Sequence, residues 1–117
     1  MRITEVNDFD ICLGLEKLSK QYNITLTFEQ KNLYIFFIRF CEEKGQYDET
    51  TGQYYCNLSV KEIAREFAAG HSAVIKALKA LSGCTAINRV KSSSVGGKNN
   101  KTVMTYLNVD CLTDDSD

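Results

Sequence analysis

A chain of 117 residues with a formal net charge of −1 is long enough for one hydrophobic core and too short for a second domain beside it. Its five cysteines (Cys12, Cys41, Cys56, Cys84, Cys111) are odd in number and widely spaced, with no C-x-x-C pair, and His71 is the single histidine. That argues against a structural zinc site and for buried thiols in a reducing compartment. No segment approaches the roughly 20 apolar residues that span a bilayer, and no basic-then-apolar leader opens the chain, so a cytoplasmic protein is expected.

Taken in order, Asp8 can cap a first helix that runs to about Tyr22, with Ile11, Leu15, Leu18 and Tyr22 on a stripe that Phe9 and Cys12 widen. Asn23 is its stop signal. Thr27 and Gln30 form a capping box ahead of a second helix, Asn32 to Lys44, which Gly45 closes. This second helix is apolar nearly all round. Leu33, Phe36, Phe37, Phe40 and Cys41 form one face, and Tyr34, Ile35 and Ile38 most of another. Only Asn32, Arg39, Glu42 and Glu43 are left for water. A helix apolar on all sides is buried on all sides. The cover comes either from the first helix and the sheet, or partly from a second subunit. The second option predicts a homodimer interface through Ile11, Leu15, Leu18, Tyr34, Ile35 and Ile38.

Gln46 to Asp48 and Gln53 to Asn57, on either side of Glu49-Thr50-Thr51-Gly52, read as a short β-hairpin. Ser59 with Glu62 is a second capping box, and it starts a helix whose buried face is Val60, Ile63, Ala64 and Phe67. Ala68-Ala69-Gly70 follows, with Gly70 expected to take the positive φ of a tight turn. A further helix then starts at His71-Ser72. It turns Val74, Leu78 and Leu81 inward and Ser72, Ala73, Lys76, Lys79 and Ala80 outward, and Gly83 ends it. Thr85 to Lys91 and Thr102 to Val109 are β-rich runs joined by the polar connector Ser92 to Asn100, a long hairpin. In the last run Val103, Thr105, Leu107 and Val109 share one side and Met104 and Tyr106 the other. Residues 111–117 read as an acidic, flexible tail.

Charge is distributed along this order unevenly. Residues 60–101 hold eight basic side chains against Glu62 and Glu66, a net of +6, while residues 1–59 carry −3 and residues 102–117 carry −4. A basic module between acidic ends suits phosphate binding, with the acidic ends away from the nucleic acid.

The predicted fold class is therefore α+β: a winged helix-turn-helix with two additional N-terminal helices and a β-hairpin wing. One domain covers residues 1–110, with the helix-turn-helix at about 59–83 and the wing at about 85–109. Small residues followed by lysines on the outer side of the fourth helix suit insertion into a major groove. The candidate DNA-reading residues are His71, Ser72, Ala73, Lys76 and Lys79. The candidate wing contacts are Arg89, Lys91, Ser93, Lys98, Asn99, Asn100 and Lys101. No nucleophile with a base, carboxylate pair, metal set or phosphate-cradling loop stands out, so neither catalysis nor a cofactor is expected.

With these residues laid out, the chain resembles the winged helix-turn-helix superfamily over nearly its whole length. More narrowly, Lys31 to Ile38, Gln46 to Tyr55, Leu58 to Ala64 and Ser72 to Leu81 look like the N-terminal domain of plasmid RepA_N replication initiators. Two departures are visible. The approach to the wing is Cys84-Thr85-Ala86-Ile87 where that family has Gly-Leu-Ile, and the initiators' large C-terminal region does not follow. The layout is also similar to TubR centromere-binding adaptors and to MarR and ArsR repressors. The resemblance implies a homodimer on repeated sites of double-stranded DNA, with half-sites about one helical turn apart. Its role would be partition, transcriptional regulation or replication, with a partition GTPase or a replication protein as partner. A protein-interaction role for the same fold is the alternative.

Overall fold

The computed structural model describes residues 7–44, 46–93 and 101–109; for residues 91–93 and 101–103 the description is of the backbone alone. Gly45, Lys98, Asn99, Asn100 and the segment 111–117 lie outside the described residues. Four helices precede or interrupt four strands in the order α1 (Asp8–Gln21), α2 (Phe28–Lys44), β1 (Tyr47–Asp48), β2 (Gln53–Cys56), α3 (Val60–Phe67), α4 (His71–Gly83), β3 (Ile87–Ser93), β4 (Lys101–Leu107). The class is α+β. The strands form one antiparallel sheet in the order β1-β2-β4-β3, so the early hairpin joins the late one through β2 and β4.

Local chemistry explains most element boundaries. α1 is capped by Asn7, whose side chain accepts from the Asp10 N–H at 2.8 Å, one residue earlier than Asp8. Asn23 follows with φ 57, the left-handed conformation in which asparagine is among the better-tolerated residues. Thr27 and Gln30 make both bonds of their capping box, which places the start of α2 at Phe28 rather than Asn32. In the first hairpin Asp48 accepts from Thr50 N–H through its side chain and from Gly52 N–H through its carbonyl, and Gly52 takes φ 71.

The core settles how α2 is covered. α1 packs on one side of it, and α4 and β2 pack on others. Leu33, Tyr34, Phe37, Ile38 and Cys41 are fully buried. Two ion pairs tie α1 to α2: Lys31–Glu16 at 2.7 Å and Arg39–Asp8 at 2.8 Å. The predicted subunit interface therefore needs correction. Ile11, Leu15, Tyr34 and Ile38 are 0% exposed and Leu18 is 9% exposed, all within a single chain, and Ile35 packs partly buried against the same core. Beyond Phe28 in its first turn, the apolar side chains of α2 are buried or partly buried by its own chain. The large apolar residues left to solvent lie elsewhere. They include Phe9 and Leu13, one turn apart on α1, and Tyr22 and Phe28 at the α1–α2 connection.

β4 alternates as its sequence predicts, with Thr105 and Leu107 buried and Met104 and Tyr106 half-exposed on the opposite face. The described cysteines Cys41, Cys56 and Cys84 are buried free thiols and Cys12 is partly so. Burial pushes the Cys41 thiol up to about 12, and its S–H donates to the Tyr55 carbonyl. No described helix is long and apolar enough to cross a membrane.

Candidate nucleic-acid interface

α3 begins where Ser59 and Glu62 satisfy each other's backbone N–H groups, at 3.1 and 2.9 Å, in a complete capping box. The Ser59 N–H hydrogen bond holds the Glu62 carboxyl below its ordinary 4.5. Ile63 buries one side of the helix, while Lys61 and Arg65, a turn apart, remain exposed on the other. The exit from α3 differs from the expectation. Ala68, not Gly70, takes the left-handed conformation, with φ 57 and ψ 46, and the Ala69 N–H returns to the Ala64 carbonyl at 3.0 Å. Gly70 has φ −69 and ψ 151, because it is the N-cap of the next helix, and an N-cap residue is extended.

α4 is held from beneath and open above. Val74, Ala77, Leu78 and Leu81 are buried against α2 and α3. His71, Ser72, Ala73, Lys76 and Lys79, the five residues singled out from the sequence, are all exposed. Ser72 and Ala73 stand four and three residues before Lys76, and Lys79 three after it, so with His71 at the start they lie on the side away from the buried one, and the exposed Ser82 and Gly83 extend it toward the C-terminal end. α4 contains no carboxylate, and its N-cap offers no side-chain acceptor to the first-turn N–H groups. The positive end of the helix dipole and the two lysines thus act in the same sense. Neither lysine forms an ion pair with a described residue.

The end of α4 also differs from the expectation. Gly83 is still helical, and the chain turns at Thr85, with φ 62, where the Ala86 N–H reaches the Leu81 carbonyl at 2.9 Å. Gly83 does stand close to the α1–α2 connection: a Cβ there would lie 2.8 Å from Ile24 Cδ1, the movable end of that side chain. Sequence reasoning gave that proximity no signal, since the partner lies 59 positions away.

Of the residues expected in a wing, the backbone places Arg89, Lys91 and Ser93 on β3 and Lys101 on β4, with Lys91 paired to Val103 and Ser93 to Lys101. Arg89 is less open than expected. It pairs with the buried Thr105, which in turn pairs with Cys56, so the three share the inward face of the sheet. Arg89 is half-buried, and that burial lowers the pKa of its guanidinium. A shallow groove of about 160 Å³ runs beside α4, with Leu33, Phe67 and Val74 among its apolar residues and Glu29 and Lys76 its charged ones. Among the described residues no group of three or more His, Cys, Asp or Glu side chains is gathered that could hold a metal ion.

No family model matches the chain, and no curated protein matches it. A solved structure described as the "N-terminal domain of DNA binding protein" shares its fold, with a TM-score of 0.55 and 20% identity over 71% of this chain. The chain spans 61% of the length of that structure, less than two thirds.

Proposed function

We propose that this chain is a winged helix-turn-helix protein that binds double-stranded DNA sequence-specifically, with α3 and α4 as the helix-turn-helix and β3–β4 as the wing. The observation that carries the reading is α4 itself. Its apolar side is locked against α2 and α3, while its exposed side is small at the start, lysine-bearing further on and without a single acidic residue. Such a helix fits a groove about 12 Å wide, and phosphates on either rim favour its charge. Ser72, Ala73 and Lys76, with His71 beside them, would face base edges; Lys79 and the wing lysines Lys91, Lys98 and Lys101 would meet phosphates. The solved structure of similar fold supports the reading by its description as part of a DNA-binding protein.

The protein acts as a homodimer in this proposal, with no catalytic role. Because the α2 face is covered, the two copies join through the apolar residues that one chain leaves open on α1, Phe9 and Leu13. Repeated sites on a plasmid or phage-like element are the proposed target, in partition or transcriptional regulation, with origin binding in replication as the alternative role. A partition GTPase or a replication protein is the corresponding partner.

The test is selection from random genomic duplex fragments at low and moderate salt, followed by sequencing of the retained fraction. Enrichment of inverted or tandem repeats supports specific readout. Binding without enrichment that disappears as salt rises would reduce the surface to a non-specific basic patch and favour a protein-interaction role.

A further inference from the structure

Residues of α2, α3 and α4 meet around the groove of about 160 Å³ beside α4. Leu33 from α2, Phe67 from α3 and Val74 from α4 give it an apolar lining, of which Leu33 and Val74 are closed to solvent. The volume sets the size of an occupant. An apolar cavity of about 150 Å³ takes up one benzene ring, so a single ring or a branched chain of that bulk fits here.

Two opposite charges stand beside this apolar seat. Glu29, in the first turn of α2, and Lys76, on α4, both line the groove and both are exposed. They do not pair with each other, and neither pairs with another described residue. Thr27 and Gln30 also line the groove, but their side-chain oxygens are already bonded within the α2 capping box. An apolar seat flanked by an unneutralised carboxylate and an unneutralised ammonium complements a small molecule with an apolar body and both charges. We propose that the groove binds a free α-amino acid with a large apolar side chain, its ammonium toward Glu29 and its carboxylate toward Lys76. A hydrocarbon would use neither charge, and an apolar acid or amine would set its one charge near the like charge of the groove. Ala73 and Lys76 also belong to the exposed row of α4, so the amino acid and a duplex compete for them.

That competition rests on the DNA-binding reading, whereas the site does not, so binding is measured first without DNA. L-Phenylalanine, 3-phenylpropanoate and phenethylamine share a ring and differ in charge. Each is titrated into isotope-labelled full-length protein while backbone amide shifts are followed. L-Phenylalanine is expected to shift Leu33, Phe67 and Val74 saturably, with a Kd on the order of 1 mM. Each analogue should bind about two- to fivefold more weakly, the worth of one ion pair at an open site. Glu29→Gln should weaken phenylalanine by a similar factor and leave 3-phenylpropanoate no weaker. Absence of saturable shifts at these residues would overturn the site, and equal affinities for all three compounds would overturn the amino-acid assignment. At about five times its Kd, phenylalanine should weaken duplex binding about sixfold. Unchanged duplex binding would overturn the competition. Saturable phenylalanine binding by a protein that binds no duplex would uphold the site and defeat the DNA-binding reading instead.

Discussion

Tyr34 and Asn108, 74 positions apart, are joined by a 2.6 Å hydrogen bond from the phenol to the Asn108 carbonyl. Tyr34 is fully buried in α2, and Asn108 also holds the Thr85–Ala86 turn, so this one phenol links α2, the end of α4 and the end of β4. Tyr34→Phe keeps the ring and removes the donor. The expected loss is about 0.5 to 1.5 kcal/mol of unfolding free energy by urea denaturation, with an unchanged m-value. A neutral result would mean that water replaces the phenol at that carbonyl without cost.

Ala68 and Thr85 hold left-handed backbone conformations, with φ 57 and φ 62, at the ends of α3 and α4. A Cβ in that region costs roughly 1 to 2 kcal/mol, and glycine gives part of this back through its freer unfolded chain. Ala68→Gly and Thr85→Gly should each stabilise the protein, by about 0.5 to 1 kcal/mol, as a raised denaturation midpoint. Destabilisation at either position would show that the methyl or the threonine side chain makes packing contacts worth more than the strain.

These two turns show where the sequence was legible and where it was not. The capping boxes at Thr27–Gln30 and Ser59–Glu62, the inward face of α4 and the alternation of β4 rest on contacts within a few residues, so periodicity and spacing suffice to find them. The left-handed position after α3 was assigned to Gly70 because glycine bears it most easily, and Gly83 was taken as the end of α4. The chain places alanine and threonine at its left-handed turns, with Gly70 at an N-cap and Gly83 close to Ile24. The cover over α2 was left between two sources for a similar reason: apolarity shows that a face is buried, but not whether its own chain or a second one buries it. The exposed row of α4 was readable at Ser72, Ala73, Lys76 and Lys79 because it is the complement of a buried face already found, whereas Ala80, also expected outward, packs partly buried against the core. Arg89 was not, since its half-burial depends on its register with Thr105 across the sheet.

The Ser59–Glu62 capping box makes stability depend on acid. The Glu62 carboxyl is held below its ordinary 4.5 by the Ser59 N–H, and Glu16 is likewise lowered by hydrogen bonding to Lys31. A folded-state value below the unfolded one means that the contribution is complete above about pH 4.5 and is lost as pH falls through the folded value. Urea midpoints should therefore decline on acidification below about pH 4.5. Glu62→Gln, which keeps the box without a titrating group, should flatten that decline, whereas Ser59→Ala should cost about 1 kcal/mol at neutral pH. An acid slope identical in Glu62→Gln and the parent would assign the dependence to other carboxylates.

The proposed dimerisation separates two sets of apolar residues. Phe9 and Leu13 are 70% and 46% exposed in one chain, so Phe9→Ser with Leu13→Ser should leave the unfolding free energy of the monomer within about 0.5 kcal/mol while shifting the sedimentation equilibrium toward monomer. Ile38 is fully buried, and Ile38→Ala should instead cost about 2 to 5 kcal/mol whatever the oligomeric state. An unchanged association constant in the double variant would remove α1 as the joining surface.

Lys76 and the wing lysines should fail differently when removed. Lys76 stands exposed in the middle of the carboxylate-free face of α4, where a bidentate contact to a guanine edge is within the reach of its side chain. Lys76→Ala should cost about 1 to 3 kcal/mol on the preferred site and much less on random duplex, so specificity falls along with affinity. Lys98→Ala and Lys101→Ala should weaken binding to every sequence alike and reduce the slope of log K against log salt by about one each, because a lost phosphate contact is a lost counterion release. A uniform loss in Lys76→Ala would move that lysine to the phosphate backbone, and a sequence-dependent loss at Lys98 or Lys101 would give the wing a part in reading bases. If all three variants bind as the parent does, α4 and the wing are not the DNA-binding surface.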